Sequence, residues 1–217
     1  MKFDLLLHVD ADDPAVFSLA FSQAASYRKE ALLKHHSISA QDIAIEAALL
    51  TGNIAPGLRR SFAAEQFSML PASLWKEERA KAASEIRPWA SKIYAYDIDP
   101  MCVAMAKENA RRAGVEDRIV FRVADVRNFR SPEPDARGTI VTNPPYGERM
   151  MEQQSAQRLY AALGRHLKYA DQWQKFIITS EPEFEHYFGR RADKKRKFYN
   201  GKIKCDYYMF TDNTRKK

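Results

Sequence analysis

Hydrophobic positions alternate between short apolar runs and longer stretches of helical periodicity, the pattern of an α/β fold. Residues 92–97, 118–125, 138–142 and 175–180 are rich in β-branched and aromatic side chains and read as buried strands. Between the first two lies a predicted helix over 101–113, with Gly114 placed to cap its C-terminus. Residues 41–50 are strong helix formers that stop at Thr51-Gly52-Asn53, another C-cap signal. In 157–169, Leu159, Leu163 and Leu167 fall on one helical face. Residues 61–89 read as mixed helix, with Phe62, Phe67, Leu70 and Leu74 turned to something apolar, Pro71 opening a new helix and Pro88 closing the run. Trp75 and Trp89 read as packing residues.

The two ends of the chain read as β-hairpins. Near the start, 3–9 and 16–21 are predicted strands around a turn-rich break at 10–14. At the other end, Asn200-Gly201 stands between two strands, and Tyr207 and Tyr208 are sheet residues. A short helix is predicted over 27–36, and a helix or turn over 181–188.

Composition narrows the class. With 217 residues, 45% hydrophobic and 29% charged, the chain suits one domain with a sizeable core, or one domain plus a small appendage. No apolar run is long enough to span a bilayer, and the opening Met-Lys-Phe-Asp carries no signal-peptide pattern, which argues for the cytoplasm. Cys102 and Cys205 have no metal-like spacing and read as reduced buried thiols. His8 reads as a surface residue and His35-His36 as part of a solvated face, so no metal is expected. A net charge of +7 favours a polyanionic partner.

The most informative stretch is Gly138-Thr139-Ile140-Val141-Thr142-Asn143-Pro144-Pro145-Tyr146-Gly147-Glu148-Arg149. A β-branched run ends abruptly on two prolines, which cannot donate to a sheet ladder. Ligands bind just beyond the carboxyl ends of strands in open α/β sheets, so residues 143–146 stand where a site belongs. An exocyclic amine of a nucleobase is a poor nucleophile because its lone pair is delocalised into the ring. It improves when acceptors hold its hydrogens and let the nitrogen rehybridise. The Asn143 side-chain carbonyl and the Pro144 backbone carbonyl can be those acceptors, Pro145 stiffens the turn, and Tyr146 offers a ring on which an extruded base stacks. Read blandly, the same residues are a rigid turn with a packing tyrosine.

At these residues the chain resembles motif IV of the S-adenosylmethionine-dependent methyltransferases that act on exocyclic amines. The longer form Asn-Pro-Pro-Tyr-Gly-Glu-Arg resembles a bacterial family of THUMP-containing methyltransferases that modify guanine N2 of 23S ribosomal RNA. That family is also labelled N6-adenine-specific DNA methylase. The resemblance runs from about Leu5 onward as the catalytic portion, without the THUMP domain. It implies a Rossmann-like, class I methyltransferase sheet, largely parallel with a C-terminal antiparallel hairpin. The expected division is 1–36 as N-terminal hairpin and connection, and 37–217 as the methyltransferase-like domain.

One region departs from the family. Relatives place a strand and a glycine-rich turn, Asp-Pro-x-Cys-Gly-Ser-Gly-Thr, before the helix matched by 43–50. Here Ser37-Ile38-Ser39-Ala40-Gln41-Asp42 stands in that place, with no glycine. Relative to the family a connecting segment is absent between about Tyr27 and Asp42, so the first strand of the fold is expected to be absent or replaced.

The remaining site residues follow the strands. Two predicted strands end in acids, Asp97 and Asp125. An acid at the end of a parallel strand can accept from ribose hydroxyls, which makes Asp97 with Ile98 one half of a nucleoside pocket. The resemblance puts Asp125 and Val126 near the adenine amine of the cofactor, S-adenosylmethionine, and Asn143 at the same site. Asp99 reads better as the helix N-cap; caps are also the bland reading of Asp97 and Asp125. The basic run containing Lys194, Lys195, Arg196 and Lys197 is either a solvated loop or a phosphate contact, and Arg149 is placed with it.

The resemblance therefore implies methyl transfer to guanine N2 in 23S ribosomal RNA, with Asn143 and Pro144 positioning the amine. Two alternatives stand beside it: an adenine-N6 DNA methyltransferase, because the motif does not separate the bases, and a non-catalytic RNA-binding remnant that has lost the cofactor loop. Ribosomal RNA is the expected partner, DNA less so, and a membrane is not expected.

Overall fold

The computed structural model describes residues 18–22, 40–88, 92–130, 138–146, 150–168, 173–200 and 203–211. Its centre is a seven-stranded sheet made from β1 (Ser18–Ser22), β2 (Ile93–Asp97), β3 (Ile119–Val123), β4 (Gly138–Thr142), β5 (Trp173–Thr179), β6 (Lys194–Asn200) and β7 (Ile203–Phe210). The strand order is β3-β2-β1-β4-β5-β7-β6. β1 to β5 run parallel, and β7 enters antiparallel between β5 and β6. The largely parallel sheet with a closing antiparallel pair is the architecture expected from the sequence.

The pleat explains how one sheet serves two cores. Tyr94, Tyr96, Ile140, Ile177, Tyr208 and Phe210 point to one face, where they meet Leu159, Tyr160, Leu163 and Leu167 of α4 (Met150–Leu167) and Phe184 and Phe188 of α5 (Phe184–Phe188). Their in-strand neighbours Ile93, Ala95, Val141 and Phe176 point the other way, against Ile43, Ala44, Ala47 and Ala48 of α1 (Ala40–Thr51) and Ala110 of α3 (Pro100–Ala113). Burying each large aliphatic side chain contributes roughly 1.5–3 kcal/mol. The alternation of faces along the strands thus holds a helix layer on either side.

The helix ends follow local chemistry. Asp99 caps α3 by accepting from the Met101 N–H at 2.8 Å, with Pro100 in the first turn. Gly114 closes α3 at φ 75°, in the left-handed region that favours glycine. After α1 it is Asn53, at φ 49°, that takes the left-handed conformation. The C-cap signal therefore belongs to Asn53, whose short polar side chain tolerates that region and donates to the Glu85 carbonyl.

Four expectations are corrected. The N-terminal hairpin does not form around Ser18–Ser22, because both edges of that strand are taken by parallel neighbours, β2 and β4. Residues 3–9, its expected partner, lie outside the described residues. The segment lies in the middle of the sheet. The helix at 157–169 begins earlier, at Met150. The basic run is no loop: it forms most of β6, paired along its length with β7. Finally, the helical region before β2, which includes α2 (Ala72–Ser84), turns little inward. No residue of α2 is buried, and Phe67 and Leu74 are exposed. Phe62 instead stacks on Trp75 with ring centroids 5.7 Å apart, a local packing contact.

Candidate active site

The parallel register aligns the carboxyl ends of the strands, and the candidate residues emerge there together. Asp97, the last residue of β2, lies level with Ser22 of β1. On the other side of β1, Thr142 of β4 lies level with Phe21, so Asn143 leaves the sheet one residue further on. Asp97 and Asn143 thus flank the end of β1, two strand spacings apart, or about 10 Å. The Ala124 N–H donates to the Asp97 carbonyl at 2.9 Å, which brings Asp125 out beside Asp97. The sheet order turns at β1 and β4, the topological switch point where doubly wound sheets bind ligands.

Asp97 is buried, and one of its carboxylate oxygens accepts from the Asp99 N–H at 2.9 Å. Ile98 is half-buried beyond it. Asp125 accepts from the Arg127 N–H at 2.8 Å and from Arg127 Nε at 2.7 Å. The Arg127 side chain, chiefly by hydrogen bonding, holds the Asp125 carboxyl below its ordinary value, so it is ionised at neutral pH. Val126 is buried beneath it and packs in the core. Asp125 therefore does cap the following turn while remaining at the strand ends. Arg127 was not singled out by sequence; an arginine two residues after an acid carries no distinctive signal.

The turn 143–146 is held tightly. Pro144 is buried, while Asn143, Pro145 and Tyr146 are half-buried. The Tyr146 hydroxyl donates to Asn143 Oδ1 at 2.7 Å. A carbonyl oxygen has two lone pairs, so one such bond does not by itself exhaust it as an acceptor. The Tyr160 hydroxyl, from α4, donates to the Pro145 carbonyl at 2.7 Å. Tyr160, Thr179 and Glu181 behind the turn were not anticipated, since their contacts join residues 15 to 19 positions or more apart in the chain.

The structure brings Asp97, Asp125 and Asn143–Tyr146 to one edge of the sheet. It does not bring the basic strand there by pairing: β6 is the outer strand of the antiparallel end. Lys194, Lys195, Arg196 and Lys197 are all exposed. Lys195 reaches Asp206 at 3.5 Å and lies 5.1 Å over the Tyr208 ring. Arg149 falls outside the described residues, as do His8 and the His35-His36 pair. Among the described residues, no three His, Cys, Asp or Glu side chains are grouped to hold a metal, and no helix is long and apolar enough to cross a membrane.

The nucleoside half of S-adenosylmethionine fits this edge. Its ribose hydroxyls and adenine amine are donors, and Asp97 and Asp125 supply acceptors at the ends of adjacent strands. The segment joining β1 to α1 contains no glycine in this sequence; residues 23–39 lie outside the described residues.

Sheet order, switch-point acids and the Asn-Pro-Pro-Tyr turn together define a class I methyltransferase domain. The chain belongs to the family described as UPF0020, RMKL-like, methyltransferase domain, whose model matches residues 42–209. It is 40% identical over 174 residues to YpsC of Bacillus subtilis, assigned as an RNA methyltransferase, covering 80% of this chain and 45% of that protein. It is 39% identical over 171 residues to ribosomal RNA large subunit methyltransferase K/L of Legionella pneumophila, covering 78% of this chain and 24% of that protein. Among solved structures it is similar to SMU.472, assigned as a methyltransferase and solved in complex with SAH, with a TM-score of 0.76 and 30% identity over 94% of this chain and 49% of that one. The chain spans about a quarter to a half of the length of these proteins.

Proposed function

We propose that this domain transfers a methyl group from S-adenosylmethionine to an exocyclic amine of RNA, guanine N2 of 23S ribosomal RNA being the target. The observation that carries the reading is the Asn-Pro-Pro-Tyr turn at the switch point, level with a buried acid across β1. Names of relatives that act on RNA support the substrate class, and a neighbour solved with SAH supports the cofactor. With ribosomal RNA as substrate the protein works in the cytoplasm.

The chain's own residues account for binding and positioning. Asp97 holds the ribose hydroxyls and Asp125 the adenine amine, with Ile98 and Val126 as their apolar neighbours. When bound, S-adenosylmethionine supplies an electrophilic methyl on a positively charged sulfur. Asn143 Oδ1 and the Pro144 carbonyl each accept one hydrogen of the target amine. That draws its lone pair out of conjugation and aims it, a positioning effect worth several orders of magnitude when well oriented. No base is needed before attack, because the neutral amine is the nucleophile. Tyr146 stacks the extruded base, and the exposed cations of β6 contact phosphates, giving affinity without sequence choice.

The test is transfer of labelled methyl to unmodified 23S ribosomal RNA, with duplex DNA alongside and the product nucleoside identified. Asn143→Ala is expected to lower turnover at least 100-fold with an unchanged melting temperature. Unchanged turnover, or methylated adenine in DNA as the only product, would refute the assignment. A second reading is favoured by the glycine-free segment between β1 and α1: a domain that binds RNA without transferring methyl groups. RNA binding with no transfer by the intact chain selects it.

A further inference from the structure

Behind the Pro-Pro turn lies a buried polar chain that recognition of the amine does not itself use. The Glu181 N–H donates to Thr179 Oγ1 at 3.1 Å. Thr179 Oγ1 and the Tyr160 hydroxyl are 2.9 Å apart, and the Tyr160 hydroxyl donates to the Pro145 carbonyl at 2.7 Å. Thr179 and Tyr160 are both fully buried. The proton positions follow from the groups themselves. A carbonyl only accepts, so the single hydrogen of Tyr160 is committed to Pro145. Thr179 must then donate to the Tyr160 oxygen, and its own oxygen takes the Glu181 N–H. The chain runs in one direction, from the end of β5 to the turn. Burial raises the Tyr160 hydroxyl above its ordinary value, so it stays protonated and the direction is fixed.

What the relay fixes is one torsion. The Pro144 carbonyl and the Tyr146 ring are joined through Pro145, whose ring locks φ. As far as the Tyr146 nitrogen, the remaining backbone freedom is rotation about the Pro145 Cα–C bond, and that rotation carries the Pro145 carbonyl with it. Anchoring that carbonyl therefore sets where the Tyr146 backbone, which carries the stacking ring, stands relative to the Pro144 acceptor. We infer that Tyr160, braced by Thr179, is a positioning residue that presets the Pro144–Tyr146 geometry for the base. This rests on the proposed amine transfer.

The test uses the full chain with Tyr160→Phe, Thr179→Val and Thr179→Ser. Turnover on ribosomal RNA, affinity for S-adenosylhomocysteine, melting temperature and crystal structures are compared with the parent. Tyr160→Phe and Thr179→Val are each expected to lower kcat about 10- to 100-fold, the scale of loss from small misplacement of reacting groups. Affinity for S-adenosylhomocysteine stays within about twofold, since Asp97 and Asp125 stand at or just beyond the ends of β2 and β3, and Thr179→Ser, which keeps the hydroxyl, restores turnover. The double variant Tyr160→Phe/Thr179→Val is no worse than either alone, because both break one chain. In the Tyr160→Phe crystal the Pro145 carbonyl is rotated and the Tyr146 ring displaced. A turn that superposes on the parent's, or parental kcat in both Tyr160→Phe and Thr179→Val, overturns the inference. If the parent itself transfers no methyl, the proposed function fails, and the position of the Pro145 carbonyl in the Tyr160→Phe and Thr179→Val crystals alone decides whether the relay sets the turn.

Discussion

Tyr146 has two chemically separable parts, a ring that can stack a base and a hydroxyl that donates to Asn143 Oδ1. Stacking on an aromatic face is worth about 1–3 kcal/mol per base, whereas the hydroxyl shares the acceptor proposed for the target amine. Removing only the hydroxyl is therefore expected to be mild. Tyr146→Phe should keep kcat/KM for RNA within about threefold of the parent, while Tyr146→Ala should lose roughly tenfold or more. Equal losses in steady-state assays of the two variants would mean that the hydroxyl, not the ring, matters. Residues whose role is local were legible in the sequence. Asp99 as N-cap and Gly114 as C-cap need only neighbouring backbone, and Asn143-Pro144-Pro145-Tyr146 announces itself by composition. Tyr160 and Thr179 were not legible, because a tyrosine in an amphipathic helix and a threonine in a buried strand have no pattern that tells packing from positioning.

Among the elements, α4 and α5 form the layer on which the turn rests, and their contact is unusually close. A Cβ built on Gly164 would lie 2.0 Å from the Phe188 carbonyl oxygen and 2.7 Å from its carbon. Backbone cannot yield as a side-chain tip does, so the helices would have to separate. Overpacking of this kind costs about 1–3 kcal/mol. Gly164→Ala should lower the thermal midpoint by several degrees in a calorimetric scan, and an unchanged midpoint would show that α5 moves freely on α4. Strand and helix identity was readable from periodicity wherever the pattern was strong. Four consecutive cations have low intrinsic strand preference, so the sequence does not announce β6; its pairing with β7 overrides that. Lysines on an outer strand also discourage edge-to-edge association, so the same side chains can guard the edge and contact phosphates. β1 was read as a strand but given the wrong partners. Its run of small and apolar residues does not reveal that it lies between two parallel strands.

At the scale of the whole molecule, a sheet with two differently packed faces delivers two acids and the Asn-Pro-Pro-Tyr turn to the carboxyl ends of its strands. Sheet order could be anticipated only through family resemblance, since parallel pairing joins strands far apart in sequence; β1 and β4 are separated by more than a hundred residues. The departure at the glycine-rich turn bears on the whole account, because amide groups approaching the methionine half are part of how this class of fold binds its cofactor. On the proposed function, the strand-end acids still form a working cofactor site. Calorimetric titration of the 217-residue chain with S-adenosylhomocysteine tests it most directly. The expected result is micromolar binding, one ligand per chain, abolished by Asp97→Ala without loss of fold. No heat of binding from a folded parent chain, or binding untouched by Asp97→Ala, would contradict it.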